Sequence, residues 1–183
     1  MRTNREPTVI RRQVTVELIP EGHVFELPEG TPAEITQALG SSFTLDVEGR
    51  LVRLQGEDAD AIGKDVPLHP GHDVAHDASD EEIRELVWET LMTCYDPELP
   101  VNIVDLGLVY VCDIMPMDDG SIWVSIKMTL TAPGCGMGES IANEVKQKLG
   151  RLPRINKVDV EVVFDPPWSR EMMSEEAELM LGM

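Results

Sequence analysis

The feature that most constrains the fold is a run of alternating apolar residues in the second half of the chain. The segment SIWVSIKMTLT places one set of apolar side chains on a single side of an extended strand, because successive side chains of a strand point to opposite faces. That set comprises Ile122, Val124, Ile126, Met128 and Leu130. The preceding segment DLGLVYVCDI alternates in the same way, and turn residues lie between the two at 118–120. Together they predict a β-hairpin with one buried face.

Two helical patterns and a last strand flank this hairpin. Ser79 and Glu82 form a capping box, and apolar residues then recur at helical spacing up to Leu91. A second helical pattern runs from Met137 to Leu149, and alternating apolar residues follow at 158–164. The order helix, strand, strand, helix, strand predicts an α+β domain with helices on one face of a small three-stranded sheet.

The first part of the chain is predicted to be a small β-rich module. Residues 14–18 alternate, and the segments SFTLDV and RLVRL read as further strands. We expect one helix inside this module, because Thr31 is a good N-cap, Pro32 suits the first helical position and Gly40 can end the turn.

The stretch HPGHDVAHDASDEE separates the two parts. Its Pro, Gly and charged residues interrupt the periodic pattern, so we expect the module and linker over residues 1–76 and the α+β domain over 77–183. The stretch also holds His69, His72 and His76, but Pro70 and Gly71 prevent a single helical face. A polar linker is therefore favoured over a metal site.

Composition narrows the possible partners. Formal net charge is -19, from 15 basic and 34 acidic residues, which argues against binding to nucleic acid. No run approaches the roughly 20 apolar residues that span a bilayer, so no membrane association is expected. The three cysteines are odd in number and widely spaced, which fits reduced thiols and a cytoplasmic protein.

The segment TAPGCGMG places Cys135 between two glycines, just before the second predicted helix. Free N–H groups and the helix dipole stabilise an anion at such a position, so a thiolate there can have a lowered pKa. The alternative is a small buried residue at a tight turn, since free cysteine is often buried.

A second group of polar residues lies in YDPELPVNIVDLG, which follows the first predicted helix. Asp96, Glu98 and Asp105 stand around two prolines, and carboxylates in a rigid loop can orient a thiol, bind a metal or contact a cation. The alternative is ordinary capping and turn chemistry. Thr131 could hydrogen-bond the same loop, or be an ordinary β-branched strand residue.

Three separated motifs in the second part carry a family resemblance. DPELPVNIVDLGLVY, TAPGCGMG and VVFDPPWSREMMSEEA, in this order, resemble the PaaD-like family of iron–sulfur cluster assembly factors over residues 79–183. In the first part, IPEGHVFELPEGT, ITQALGSSFTL and GEDADAIGK resemble the bacterial SufT subgroup of that family.

The resemblance implies a non-enzymatic maturation factor that assists cluster transfer or insertion into client apoproteins. It also implies assembly machinery as a partner, transient binding of iron or a cluster, and functional roles for Asp96, Glu98, Thr131 and Cys135. A stable cluster requires about four ligands, so we expect a homodimer in which two Cys135 residues meet. Cys94 is a weaker candidate ligand.

Two other functions stay open. The first is an adaptor that binds no cluster and joins the machinery to its clients, for which the tail residues Met172, Met173, Leu179 and Met180 could supply an adaptable apolar contact. Alternatively, that tail is a helix packed on its own domain. The second function is a thiol enzyme, which would need a base near Cys135, whereas all four histidines lie in the first part or the linker.

Overall fold

The computed structural model describes residues 5–19, 21–68, 70–71, 74, 77–96, 99–131 and 137–182. The chain divides into two compact units, one within residues 1–68 and one within 69–183. Among the described residues, none of the helices has the length and apolar content needed to cross a bilayer.

Unit 1 is a six-stranded antiparallel sheet followed by a 3-10 helix at Gly56–Ile62. Its strands lie in the order β1-β4-β5-β6-β2-β3. Their bounds are β1 Glu6–Val9, β2 Val14–Leu18, β3 Val24–Leu27, β4 Pro32–Leu39, β5 Ser42–Val47 and β6 Arg50–Gln55. One apolar cluster, which includes the fully buried Ile10, Leu45 and Leu54, forms its core.

The helix predicted after Thr31 is wrong, because residues 32–39 form strand β4. This strand pairs with β1 on one side and β5 on the other, and it buries Ala33 and Ile35. The Thr31 hydroxyl donates to the Pro28 carbonyl in a turn instead of capping a helix. Pairing with β1, which is distant in the chain, and with the hairpin neighbour β5 therefore outweighs the local capping signal, and Pro32 is tolerated as the first residue of the strand.

Unit 2 has the predicted α+β order. Helix α1 spans Asp80–Met92, β7 Val109–Pro116, β8 Ile122–Met128, α2 Met137–Leu149 and β9 Ile155–Val162. A 3-10 turn at Arg170–Met172 and a short helix α3 at Glu175–Leu181 follow. The three strands lie in the order β7-β8-β9, with β7 antiparallel and β9 parallel to β8. The parallel pair follows from the crossover through α2.

The capping box predicted for α1 is present. The backbone N–H of Ser79 donates to Glu82 at 2.7 Å, and the Ser79 hydroxyl accepts from the Glu82 N–H. The Ser79 N–H and the Ser79 hydroxyl both donate to the Glu82 carboxylate, and these two bonds lower the pKa of Glu82. The buried face of α1 is also the predicted one: Ile83, Leu86, Val87, Thr90 and Leu91.

A lysine near the end of α2 forms a buried ion pair within that helix and also bonds the end of α1. Lys148 Nζ lies 2.6 Å from Glu144 Oε1, and both side chains are about 5 % exposed or less. Lys148 also donates to the Thr93 carbonyl at 2.8 Å, immediately after the last turn of α1. Since removing one partner would leave a buried charge uncompensated, this contact fixes where the chain leaves α1.

The C-terminal segment, residues 165–182, packs on the turn formed by residues 102–108. Trp168 Nε1 donates to the Leu106 carbonyl at 2.7 Å, and the Ser174 N–H donates to the Asp105 carbonyl at 2.8 Å. Gly107 has a φ of +69°, and a Cβ at this position would overlap the carbonyl oxygen of Met172. The close approach therefore requires glycine.

One side of the C-terminal tail packs on its own domain, as one of the two alternatives predicted. Met173 and Ala177 are buried in the core of unit 2. Leu179 and Met180 are instead 75 % and 56 % exposed, so one side of α3 stays open.

Gly107→Ala should destabilise unit 2 more than Gly120→Ala. Both glycines have a positive φ, which costs alanine about 1 kcal/mol, but only Gly107 faces another backbone. We expect a total loss of roughly 3 kcal/mol for Gly107→Ala, because the C-terminal segment must shift. All three tryptophans, Trp88, Trp123 and Trp168, lie in unit 2, so urea unfolding followed by tryptophan fluorescence reports on this unit. Equal losses in the two variants would contradict a tightly packed segment.

Candidate functional site

The loop after α1 is held in shape by its own backbone and by Asp96. Tyr95 and Asn102 form an isolated antiparallel bridge, and the Asp96 N–H donates to the Val101 carbonyl at 3.1 Å. The Asp96 carboxylate is buried and accepts the Leu99 N–H at 3.0 Å. Asp96 therefore supports the backbone on both sides of Pro97 and Glu98, which lie outside the described residues.

The next turn is organised by Asn102, for which no role was predicted from the sequence. Its Oδ1 accepts the N–H groups of Val104 and Asp105, and its Nδ2 donates to the Asp105 carboxylate at 2.6 Å. The Asp105 carboxylate therefore bonds within its own turn, which agrees with the alternative of ordinary turn chemistry. The signal that could have found Asn102 is the tendency of asparagine to bond the backbone two residues ahead.

Thr131 reaches the same region from the end of β8. The N–H of Thr129 donates to the Leu108 carbonyl at 2.8 Å, which continues the contact between the β8 side and the chain entering β7. Two residues later, the half-buried Thr131 lines a cavity of about 310 Å³. Cys135, four residues further on, lies outside the described residues.

The cavity brings three parts of unit 2 together. Leu99 comes from the loop after α1 and Thr131 from the end of β8. The C-terminal segment contributes the remaining lining residues, Trp168, Arg170, Met173 and Leu181. The sequence motif VVFDPPWSREMM contains three of these four residues, but nothing in its local pattern indicated that they face the loop after α1. The two loops singled out from the sequence thus border one cavity under the C-terminal segment.

The two described cysteines are free thiols that do not line this cavity. Cys94 is fully buried, and its Sγ donates to the Thr90 carbonyl at 3.7 Å. Cys112 lies on β7, partly buried against the core. Burial raises the pKa of the Cys112 thiol to about 11, with a further increase from Asp113 and an opposing effect of Arg84.

Among the residues that the structure describes, no three His, Cys, Asp or Glu side chains are grouped so that they could hold a metal ion. The predicted ligand roles of Cys135 and Cys94 stay predictions, and the sulfur of Cys94 is placed in the core.

Comparison with known proteins gives a consistent set of similarities. A family model described as "Iron-sulfur cluster assembly protein" matches residues 84–162. An Fe-S protein maturation auxiliary factor of Porphyromonas gingivalis is 42 % identical over 101 residues, which are 55 % of this chain and 92 % of that relative. The Fe-S protein maturation auxiliary factor SufT of Staphylococcus aureus is 43 % identical over 88 residues, covering 48 % of this chain and 96 % of the relative.

A solved structure is similar as well. The crystal structure of a domain of unknown function, DUF59, from Bacillus anthracis is 39 % identical, with a TM-score of 0.49. The similarity covers 56 % of this chain and 94 % of that domain.

The described cysteines should react slowly with iodoacetamide at neutral pH. With a pKa of about 11, Cys112 is thiolate at about one part in a thousand at pH 8, and its rate should rise about tenfold per pH unit below that pKa. Cys94 should stay unmodified while the domain is folded, because its sulfur is buried. Alkylation followed by peptide mass spectrometry across neutral to alkaline pH measures both, with Cys112→Ser as the control. Rapid, pH-independent alkylation of Cys112 would contradict this account.

Proposed function

The chain belongs to the family of iron–sulfur cluster assembly proteins, and from that membership we propose that it acts as a maturation factor for iron–sulfur client proteins. In this role it assists the transfer or insertion of clusters. Identity of 42 % over 92 % of the P. gingivalis relative carries the family assignment, and the PaaD-like resemblance predicted from three motifs is thereby confirmed. The resemblance of the first part of the chain to the SufT subgroup stays a prediction.

The proposed location of the site rests on the cavity bordered by Leu99 and Thr131. We propose that Cys135, in the segment that follows Thr131, transiently ligates iron or a cluster as cargo. Asp96 then acts by shaping the loop through its bond to the Leu99 N–H, and Glu98 lies within that loop. Thr131 borders the space that the cargo or a client side chain would enter.

Ligand count favours a shared site. A stable cluster is held by about four protein ligands, and the described cysteines are buried or partly buried away from the cavity. One chain supplies a single such thiolate, so we propose that two chains each supply Cys135 across a two-fold axis, which provides two of the roughly four ligands. Involvement of Cys94 would require its sulfur to leave the core.

The remaining expectations follow from the family role. We propose a non-catalytic protein whose partners are the cluster assembly machinery and client apoproteins, in keeping with the names of the relatives as auxiliary factors. We also propose a cytoplasmic location, which suits the free thiols of Cys94 and Cys112.

An adaptor that binds no cluster is the second candidate. It is favoured by the exposed apolar residues Leu179 and Met180 on α3, which offer a contact surface without any metal chemistry. In that case Cys135→Ala would leave the capture of client proteins unchanged.

Iron and sulfide content after anaerobic purification and reconstitution tests the proposal. The unmodified protein should hold stoichiometric iron and sulfide, and Cys135→Ala should lose them, because the cargo thiolate is gone. Cys112→Ala is the matched control, since it removes a partly buried thiol outside the cavity, and it should keep its iron. Equal iron in the Cys135→Ala and unmodified proteins would refute the role of Cys135, and no specific iron in either would favour the adaptor.

Sedimentation of the same samples tests the shared site. Cluster-loaded protein should sediment as a dimer with one cluster per two chains, and Cys135→Ala should sediment as a monomer after the same treatment. A monomer that carries a complete cluster would contradict ligation by two chains.

A further inference from the structure

We propose that the cavity and the open side of α3 form a docking surface for a basic segment of a client protein that carries an apolar anchor residue. That the partner is a client protein rests on the proposed function, whereas the chemistry of its segment is inferred from the surface itself.

The surface is largely apolar. The cavity of about 310 Å³ is lined by the apolar Leu99, Trp168, Met173 and Leu181, together with Thr131 and Arg170. This volume lies at the lower end of the range of about 300 to 1,000 Å³ typical of ligand pockets, so it suits one or two side chains better than a large cofactor. On the same helix as Leu181, Leu179 and Met180 are among the most exposed apolar residues of the described chain. Methionine adapts to differently shaped partners, which suits a surface that meets several clients.

The C-terminal segment has a net negative charge. The C-terminal segment carries five exposed carboxylates and one cation, Arg170. The carboxylates belong to Asp165, Glu171, Glu175, Glu176 and Glu178. Within the described part of the chain, none of the five forms an ion pair. A largely apolar surface on a segment in which these carboxylates outnumber the single cation is complementary to an apolar residue flanked by lysine or arginine.

Charge also argues against a second copy of this chain as the occupant. The C-terminal segment alone has five acidic residues and one basic residue, so two copies that met through α3 would bring like charges together, whereas the dimer proposed above would meet at Cys135 and leave α3 uncovered. The occupant is therefore a cationic segment of another protein.

The surface lies beside both loops of the candidate site. Leu99 and Thr131 border the cavity and belong to the two loops that carry Glu98 and Cys135. An anchor residue in the cavity would hold the client chain next to the loop from which cargo is released. Holding donor and acceptor groups together replaces an encounter in solution with a local transfer.

Fluorescence anisotropy with synthetic peptides tests the proposal on the full-length protein without iron. The probe is a fluorescein-labelled peptide with a Leu-Phe pair flanked on each side by two lysines. It should bind, and it should lose about tenfold or more in affinity when the lysines become glutamates or the Leu-Phe pair becomes Ser-Ser. Equal binding of all three peptides would overturn the proposal.

Variants of the surface locate the binding. Leu179→Ser with Met180→Ser should weaken binding about tenfold through lost apolar contact. Glu175→Gln with Glu178→Gln should weaken it several-fold and reduce its salt dependence. Glu85→Gln with Glu89→Gln removes two exposed carboxylates from α1 and is the matched control, expected to stay within about twofold. If the α1 variant weakens binding as much as the α3 variant, the attraction is general and the proposed surface is wrong.

The outcomes separate this proposal from the proposed function. The Leu179→Ser and Met180→Ser variant should keep its iron and sulfide content and its tryptophan unfolding transition, because neither residue is buried. If the peptides fail to bind while iron still depends on Cys135, the docking surface is wrong and the maturation role stands. If this variant instead turns a dimer into a monomer, a second copy covers the surface and the proposal is overturned.

Discussion

The close packing of residues 165–182 on the turn at 102–108 is the constraint on which the candidate site depends. Gly107 lets the chain approach Met172, and two further bonds, from Trp168 to Leu106 and from Ser174 to Asp105, hold the same contact. Without it, four of the six described residues that line the cavity would have no fixed position. The segment is thus part of the site and of the fold at once.

The loop after α1 is fixed at both of its ends. At its start, Lys148, which is paired with the buried Glu144, donates to the Thr93 carbonyl, and at its end the Asn102 turn lies under the C-terminal segment. Asp96 supports the stretch between them. These contacts fix the described parts of the loop on either side of residues 97 and 98, as expected for a site built from supporting contacts.

What could be predicted from the sequence was local. The alternation around Ile126, the Ser79 capping box and the helical pattern after Met137 each depend on residues close in the chain, and these elements are present. The helix predicted after Thr31 was wrong because β4 pairs with β1, a strand far earlier in the chain, as well as with its hairpin neighbour β5. The cavity could not be predicted for a similar reason, since Trp168 and Leu99 are brought together only by tertiary packing. Glu98 and Cys135 stay sequence-based predictions.

Cross-linking tests most directly whether the two loops share one site. In a Cys112→Ser background, Leu99→Cys should be joined to Cys135 by a flexible bismaleimide, because Leu99 and Thr131 line one cavity and Cys135 follows Thr131 by only four residues, which reach at most about 14 Å. Asp119→Cys, at the opposite end of β8 from Thr131, should not be joined. Peptide mapping by mass spectrometry identifies the linked pair. Efficient linkage from Leu99→Cys alone is the predicted result, and no linkage, or equal linkage from both positions, would contradict a common site.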